Sequence, residues 1–247
     1  MNDKLKLLEQ INIFNELDYK ITDKEVLKAI SNLKNNKAVG LDNICNEMFK
    51  CLNNNIIKLL TKIFNTILIS GKYPSIWTKG YVTAIHKAND RSDPNNYRCL
   101  TINSQFGKHF NCILNSRLNT YLIKHNIIDK SQIGFQKDKR TSDHIYTLQT
   151  LIYKYTKLKK KKIYACFIDL RKAFDKVWHL GLYYKLHQIG ISRNFYHIIK
   201  SIYSEAEICF KVQDKITNFV KQDVGVKQGD NLSSTLFNIY IIYILMT

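Results

Sequence analysis

The sequence predicts an α+β fold, and three observations point to it. Apolar residues recur at helical spacing through most of the first 155 positions, whereas an unbroken apolar run and a hairpin pattern follow position 160. The 247 residues contain two prolines and nine glycines, so no flexible Pro- or Gly-rich linker divides the chain. We therefore expect one body, with its β segments concentrated after position 160.

The first helices are defined by a capping box and by apolar spacing. Thr22 with Glu25 three residues later opens a helix that runs to about Lys34, before a turn-rich stretch over 35–42. A second helix stops near Gly71, and residues 79–87 read as a strand. The apolar positions of this second helix are Ile56, Leu59, Leu60, Ile63, Phe64 and Ile67.

Two further stripes are predicted to face the core of the protein. The first begins near Gln105 and comprises Phe106, Phe110, Ile113, Leu114, Leu118, Tyr121 and Leu122; the second comprises Ile145, Leu148, Leu151 and Ile152. The lysine run Lys157–Lys162, broken only by Leu158, is typical of a solvated connection, although it could also contact phosphates. The apolar run Ile163–Ile168 predicts a buried strand.

The remaining segment alternates helices with a hairpin. Helical patterns cover Leu180–Gln188 and Asn194–Tyr203, and a final helix begins near Ser233. Between them, Ala206–Val212 and Ile216–Val226 predict two strands that turn at Asp214-Lys215.

Charge narrows the function classes. The chain has 38 Lys and Arg against 20 Asp and Glu, a formal net charge of +18, which favours nucleic acid or an anionic membrane as a partner. An alternative source of part of this charge is A- and T-rich codon usage, since lysine, asparagine and isoleucine abound. The longest clean apolar run, Ile239–Met246, is far below the roughly 20 residues of a membrane helix.

Cysteine usage and the N-terminus bear on the compartment. The six cysteines form no C-x-x-C pair, and Met1–Gln10 lacks the apolar stretch of a secretory signal. We therefore expect reduced, buried thiols in an intracellular protein, with cytoplasm and nucleus both open.

Two segments carry candidate chemistry. Asp169 ends the apolar run, where a carboxylate needs water, a cation or a metal; it is a candidate metal ligand, with a helix cap as the alternative. Residues 225–234 form a Gly-containing turn ahead of a helix, a geometry that admits a nucleotide. The alternative there is an ordinary loop with Ser233 as the helix N-cap.

Six blocks in order resemble the reverse transcriptases of non-LTR, LINE-type retrotransposons, over roughly Ile21 to Ile241. The blocks are Lys34-Asn35-Asn36-Lys37-Ala38-x-Gly40-x-Asp42; Asn46-Glu47-Met48; Ser92-Asp93-Pro94-x-Asn96-Tyr97-Arg98; Gly134-Phe135 with Thr141-Ser142-Asp143-His144-Ile145; Phe167-Ile168-Asp169-x-x-x-Ala173-Phe174-Asp175-x-Val177-Trp178-His179; and Gly225-Val226-x-Gln228-Gly229-Asp230-x-Leu232-Ser233-x-x-Leu236-Phe237-Asn238. The blocks at 141–145 and 178–179 favour the LINE type over a group II intron-type enzyme.

This resemblance implies a right-hand polymerase, with helical fingers and a palm built on an antiparallel sheet. It implies DNA synthesis from deoxynucleoside triphosphates on an RNA template and a DNA primer, with Mg²⁺ or Mn²⁺ as cofactor. The corresponding domains are an N-terminal extension over 1–20, a fingers region over 21–160 and a partial palm over 161–247, with the thumb absent. No membrane partner is implied.

The resemblance also assigns roles to individual residues. Asp169 and the carbonyl of Leu170 would hold the metals, and Phe174 would exclude a ribose 2′-hydroxyl by its volume. Lys87 and Arg98 would grip the triphosphate. Gln228 and Gly229 would contact template and nucleotide. Taken singly, each of these residues could equally be a surface charge, a core aromatic or a loop residue.

The sequence departs from the family pattern in two ways. Prolines and a glycine of the motifs are replaced, at Val39, Asn43, Cys99, Asn231 and Ser234. The catalytic Ala-Asp-Asp hairpin does not appear, and no Asp or Glu follows Asp230. We therefore expect an incomplete palm that is inactive alone; a non-catalytic, basic RNA-binding protein is the alternative function.

Overall fold

The computed structural model describes residues 16–136, 138–212 and 215–242. Its helices are α1 (Asp23–Ser31), α2 (Asn46–Lys50), α3 (Asn54–Ser70), α4 (Ser75–Thr78), α5 (Gln105–Lys124), α6 (Thr141–Ile152), α7 (His179–Gln188), α8 (Arg193–Ser204) and α9 (Ser233–Ile241). The strands are β1 (Lys79–His86), β2 (Tyr97–Asn103), β3 (Glu207–Val212), β4 (Lys215–Ile216) and β5 (Val220–Lys221). Short 3₁₀ turns lie at Glu16–Asp18, Pro94–Asn96 and Phe174–Lys176, and a π-helical turn at Tyr153–Leu158 extends α6.

Capping side chains mark the starts of the first two long helices, whereas α1 ends at Ser31, earlier than the predicted end near Lys34. The Thr22 side chain accepts a hydrogen bond from the Glu25 amide, and the Glu25 carboxylate accepts one from the Thr22 amide, which completes the capping box of α1. Asn53 caps α3 in the same way through the Ile56 amide, and Gly71 ends that helix. The starts of these helices therefore follow from local sequence.

A single helical core contains most of the buried apolar side chains. The stripe on α5 is confirmed, with Phe110, Leu114 and Leu118 fully buried. On α3 the predicted stripe is partly wrong: Leu60, Phe64 and Ile67 are buried, but Ile56, Leu59 and Ile63 are exposed. Because α3 is apolar on more than one face, its periodicity alone does not select the face that packs.

The sheet joins both halves of the chain, in the order β2-β1-β3-β4 with β5 also on β3. β1 and β2 are antiparallel, from Gly80 opposite Asn103 to His86 opposite Tyr97, whereas β1 and β3 run parallel. The α+β class is confirmed. The expectation of β structure concentrated after position 160 is wrong, because β1 and β2 lie before it and β1 pairs with β3 of the second half. The sheet is antiparallel except for this one parallel pair.

The predicted hairpin after α8 is present in a shorter form. β3 pairs antiparallel with β4 and again with β5, so the second predicted strand is broken in two. Of the predicted turn, Asp214 lies outside the described residues, and Lys215 begins β4.

The strand predicted at Ile163–Ile168 is wrong. This run has no regular secondary structure, and Tyr164, Phe167 and Ile168 are 89%, 84% and 86% exposed. Within the described ranges no strand pairs with it. An apolar run becomes a buried strand only when a neighbouring strand takes up its backbone hydrogen bonds.

The helix predicted around Ile145 forms as α6, but its expected core stripe is wrong. None of its residues is buried; Ile145, Leu151 and Ile152 are exposed and Leu148 is half-buried. Periodicity identifies an apolar face without identifying what covers it. The lysine run that follows is exposed, as a solvated connection would be.

The six cysteines are free, but they are not uniformly buried. Cys209 is buried, Cys45 and Cys112 are half-buried, and Cys51, Cys99 and Cys166 are exposed. The prediction of buried thiols therefore holds for Cys209 and is wrong for the exposed three. Over the described ranges, no helix has the length and apolar character needed to cross a membrane.

Acid should destabilise the fold through His109. This side chain is 1% exposed, its ring centroid lies 4.0 Å from that of Phe49, and burial lowers its pKa to about 4. The unfolded chain binds a proton near pH 6.5, so stability falls as pH decreases from there. Between pH 7 and 5, the wild type should lose about 2 kcal/mol of unfolding free energy through His109. His109→Phe should lack this loss, and urea denaturation at the two pH values measures the difference.

The matched control is His144→Phe, at an exposed position on α6. It should retain the wild-type pH dependence. An undiminished loss of stability in His109→Phe would contradict the assignment.

Candidate functional site

An open cavity of about 1250 Å³ lies between the β1–β2 connection, the segment 169–176 and the turn 227–230. All seven residues that the sequence singled out line this one cavity, although they come from three distant parts of the chain. They are Lys87, Arg98, Asp169, Leu170, Phe174, Gln228 and Gly229.

The β1–β2 connection places Lys87 and Arg98 at one end of the sheet. Arg98 lies opposite Ile85 in the antiparallel register, and the Lys87 amide donates to the Asn96 carbonyl at 2.8 Å. The Asp93 side chain caps the 3₁₀ turn between them by accepting from the Asn95 amide. Both cationic side chains are exposed. Backbone pairing therefore positions two mobile cations on the same wall.

The second wall is the segment 169–176, which folds as turns. Asp169 is exposed, and no α-helix begins immediately after it, so the helix-cap alternative is not met. The Lys172 ammonium donates to the Asn95 side chain at 2.9 Å, which links this wall to the β1–β2 connection. The cavity is thereby bridged at one side.

Phe174 lies at the boundary between cavity and core. Its half-buried ring stacks on Phe237 of α9, with centroids 4.9 Å apart, and meets the edge of Phe135 at 5.6 Å. The ring therefore packs as a core aromatic and also lines the cavity. This packing fixes the orientation of a bulky wall.

Backbone hydrogen bonds fasten the chain before the turn 227–230 to the Phe174 wall. The Val226 amide donates to the Phe174 carbonyl and the Gly225 amide to the Val177 carbonyl, each at 2.8 Å. Gly225 has a φ of +91°, and a Cβ there would lie 2.9 Å from the Asp175 carbonyl oxygen. Glycine is required by both conformation and space.

The turn itself docks on β2. The Thr101 amide donates to the Gln228 carbonyl at 2.8 Å. Gly229 has a φ of +108°, and a Cβ on it would lie 2.8 Å from the Thr101 carbonyl oxygen. The Gln228 side chain points across the cavity and donates to Asp175 at 3.1 Å. Gln228 therefore contacts two walls of the site.

Polar groups lie beneath this turn. Lys227 is 3% exposed, its ammonium donates to the Thr78 carbonyl, and burial lowers its pKa to about 8 against the opposing attraction of Asp230. Ser233 donates to the Lys227 carbonyl, while Leu232 occupies the N-cap position of α9. The predicted Ser233 N-cap is therefore wrong.

The cavity is electropositive. Besides Lys87 and Arg98, it is lined by Arg171, Lys172 and Lys176, against the carboxylates of Asp169 and Asp175. Five cations against two anions suit a polyanionic ligand. Sequence reasoning missed Arg171, Lys172 and Lys176, although their place next to the Asp169 block was a signal that could have identified them.

The residues predicted to bind metal supply too few ligands for a complete metal site. In the parts of the chain that the structure describes, no three His, Cys, Asp or Glu side chains gather in a geometry that could hold a metal ion. Asp169 and the Leu170 carbonyl supply three oxygens at most, whereas Mg²⁺ takes six ligands. These residues alone do not form a two-metal centre.

Comparison with known proteins identifies the class. The model of the family described as reverse transcriptase (RNA-dependent DNA polymerase) matches residues 85–246, and the chain belongs to this family. Within it, the prediction of a non-LTR retrotransposon domain is confirmed by the named relatives.

Two relatives from Drosophila melanogaster show the extent of the similarity. The probable RNA-directed DNA polymerase from transposon BS is 29% identical over 87% of this chain and 24% of the relative. The probable RNA-directed DNA polymerase from transposon X-element is 28% identical over 94% of this chain and 26% of the relative. The chain thus spans about a quarter of the length of these curated relatives.

A solved structure, titled a partial Cas6-RT-Cas1--Cas2 complex, is also similar to this chain. The similarity has a TM-score of 0.46 and 16% sequence identity, and it covers 93% of this chain and 34% of that chain.

Gly225 should be intolerant of substitution. We expect Gly225→Ala to lower the free energy of unfolding by about 2 to 3 kcal/mol, because a Cβ is strained at this φ and meets the Asp175 backbone. Urea denaturation measures the change. Gly134→Ala is the control, since a Cβ at Gly134 would approach only the Gln132 side-chain amide, at 3.4 Å. Equal losses in the two variants would refute the steric argument.

Proposed function

We propose that the cavity is the nucleotide site of an RNA-directed DNA polymerase domain, where a deoxynucleoside triphosphate meets an RNA template and a DNA primer. One observation carries the proposal. The candidate residues come from different sequence blocks, yet all of them line one electropositive cavity that is large enough for a nucleotide. Family membership supports the same ligand class, since reverse transcriptases act on nucleic acid and nucleotides.

Lys87 and Arg98 are proposed to bind the triphosphate. Both are exposed on the wall formed by the β1–β2 connection, so their side chains can reach an anion without losing a buried partner. Arg98 offers planar, bidentate donors, and Lys87 a mobile point charge. Arg171, Lys172 and Lys176 add positive potential from the opposite wall.

Phe174 is proposed to select the sugar, and Gln228 with Gly229 to contact template and nucleotide. The stacked Phe237 holds the Phe174 ring in place, so the ring can exclude a 2′-hydroxyl by volume. Gly229 lines the cavity, and its lack of a side chain lets the turn lie directly against β2. Gln228 carries an amide that is already fixed at the cavity wall.

Asp169 and the Leu170 carbonyl are proposed as two ligands of a divalent ion, Mg²⁺ or Mn²⁺. Divalent-metal dependence is general in this family, and hard oxygen donors suit both ions. The further donors needed for catalysis lie outside the set that the described residues assemble. We accordingly propose that these residues bind a divalent ion but do not by themselves catalyse nucleotide incorporation.

The domain division is proposed on the same grounds, with a fingers region over 21–160 and a partial palm over 161–247. The cavity lies where these regions meet, since Lys87 and Arg98 come from the first and the other five predicted residues from the second. The alternative of a non-catalytic RNA-binding protein is not favoured, because the family match spans the nucleotide-site motifs.

Removing Arg98 should weaken nucleotide binding. We expect Arg98→Ala to lower the affinity for a fluorescently labelled deoxynucleoside triphosphate by about tenfold or more, because a charge-assisted bidentate contact is lost. Arg98→Lys should recover only part of the affinity. Fluorescence anisotropy measures each dissociation constant.

The control for charge is Lys62→Ala, which removes an exposed lysine on α3 away from the cavity. It should bind nucleotide as the wild type does. Equal weakening in Arg98→Ala and Lys62→Ala would show a general charge effect and contradict the proposed site.

Reducing the volume of Phe174 should relax sugar selection. The wild type should prefer a deoxynucleotide to the matching ribonucleotide, and Phe174→Ala should narrow this preference by roughly tenfold. Competition against the labelled nucleotide measures the ratio, and the exposed Phe210→Ala is the control. An unchanged ratio in Phe174→Ala would remove Phe174 from the site.

Primer extension tests catalysis directly. With Mg²⁺ or Mn²⁺, we expect the 247-residue chain to bind template and primer without incorporating nucleotide, because the described residues gather no group of three side chains that could hold a metal ion. Templated incorporation that Asp169→Ala abolishes would show that the donor set is complete, and would overturn this expectation.

A further inference from the structure

The turn 227–230 is held from below by a buried lysine that the proposed chemistry does not use. Lys227 is 3% exposed, which is unusual for a lysine because an unpaired ammonium loses its hydration. Its ammonium donates to the carbonyl of Thr78, the buried last residue of α4 that directly precedes β1. The turn is thereby tied to the start of the central strand.

Both ends of the same turn are fixed by polar contacts. The Lys227 carbonyl accepts from the Ser233 hydroxyl at 2.7 Å and from the Asp230 amide at 3.2 Å. The Asp230 carboxylate accepts from Asn111 on α5 at 2.8 Å and from the Leu232 amide at 2.9 Å. A buried cation and a half-buried carboxylate therefore flank Gln228 and Gly229.

Lys227 and Asp230 flank two residues of the proposed nucleotide site, Gln228 and Gly229. Between the two charged residues, the Gln228 carbonyl accepts from Thr101 of β2, and the Gln228 side chain reaches Asp175. Neither Lys227 nor Asp230 lines the cavity. Their side-chain contacts run to α4, to α5 and to Asn103 at the end of β2, so they would act on a ligand through the turn and the strand on which it docks.

We propose that Lys227 is a positioning residue. Together with Asp230 at the other end of the turn, it holds Gln228 and Gly229 against β2 in the geometry that nucleotide binding needs. This inference rests on the proposed nucleotide site. It gives a reason for a lysine in a buried position where an apolar residue of similar length would avoid the cost of dehydration. The same burial lowers the pKa of Lys227 to about 8, because it disfavours the charged form.

Hydrogen exchange of the wild type and Lys227→Met tests the positioning without any ligand. Methionine keeps a similar length but removes the ammonium. We expect exchange at the Thr101 amide, in the peptide 97–103, to become about tenfold faster, while the peptide 207–210 of β3 is unchanged. Equal acceleration in both peptides would show general destabilisation and overturn the proposal, as would unchanged exchange at Thr101.

Two further variants guard against a simple folding defect. Ser233→Ala removes the hydroxyl contact on the other side of the turn and should accelerate Thr101 exchange in the same direction. Lys227→Arg keeps a cationic donor and should restore protection toward the wild-type value. Lys62→Met is the matched control at an exposed lysine and should exchange as the wild type does.

Affinity for the labelled deoxynucleoside triphosphate completes the test. Lys227→Met should bind about tenfold more weakly, Lys227→Arg should regain affinity, and Lys62→Met should match the wild type. Faster Thr101 exchange with unchanged affinity would overturn the inference, because the turn would then position nothing that the ligand uses. Unchanged affinity in Gln228→Ala would instead contradict the proposed nucleotide site.

Discussion

The hydrogen bond from the Thr101 amide to the Gln228 carbonyl is the contact on which the arrangement of the site depends. It joins a strand of the first half of the chain to a turn near its end, and no local sequence preference can produce it. The contact is possible because Gly229 lets the two backbones approach more closely than a side chain would permit. Gln228 and Gly229, which this contact holds, line the cavity.

The physics of the site combines firm backbone anchoring with mobile charge. Gln228, Gly229 and Phe174 are held by backbone bonds or by aromatic packing, whereas Lys87 and Arg98 are exposed on a wall fixed only through its backbone. Fixed groups suit discrimination between similar ligands, since their geometry does not adapt. Mobile cations suit capture of a phosphate chain.

The described residues around Asp169 do not by themselves form a metal centre. Asp169 stands on an exposed, irregular segment, and within the described ranges it belongs to no group of three His, Cys, Asp or Glu side chains that could hold a metal ion. The apolar run before it is exposed for a related reason, because no described strand pairs with it.

The sequence alone determined the features that arise from neighbours along the chain: the capping box of α1, the caps of α3, the stripe of α5, and the motif residues that mark the site. It failed where partners are distant, as for the exposed face of α6 and the unpaired run before Asp169. Only the tertiary structure decided the parallel pairing of β1 with β3, the cations contributed by Arg171, Lys172 and Lys176, and the burial of Lys227. The physical reason is that periodicity and capping act over a few residues, whereas pairing, burial and charge convergence depend on which surfaces meet.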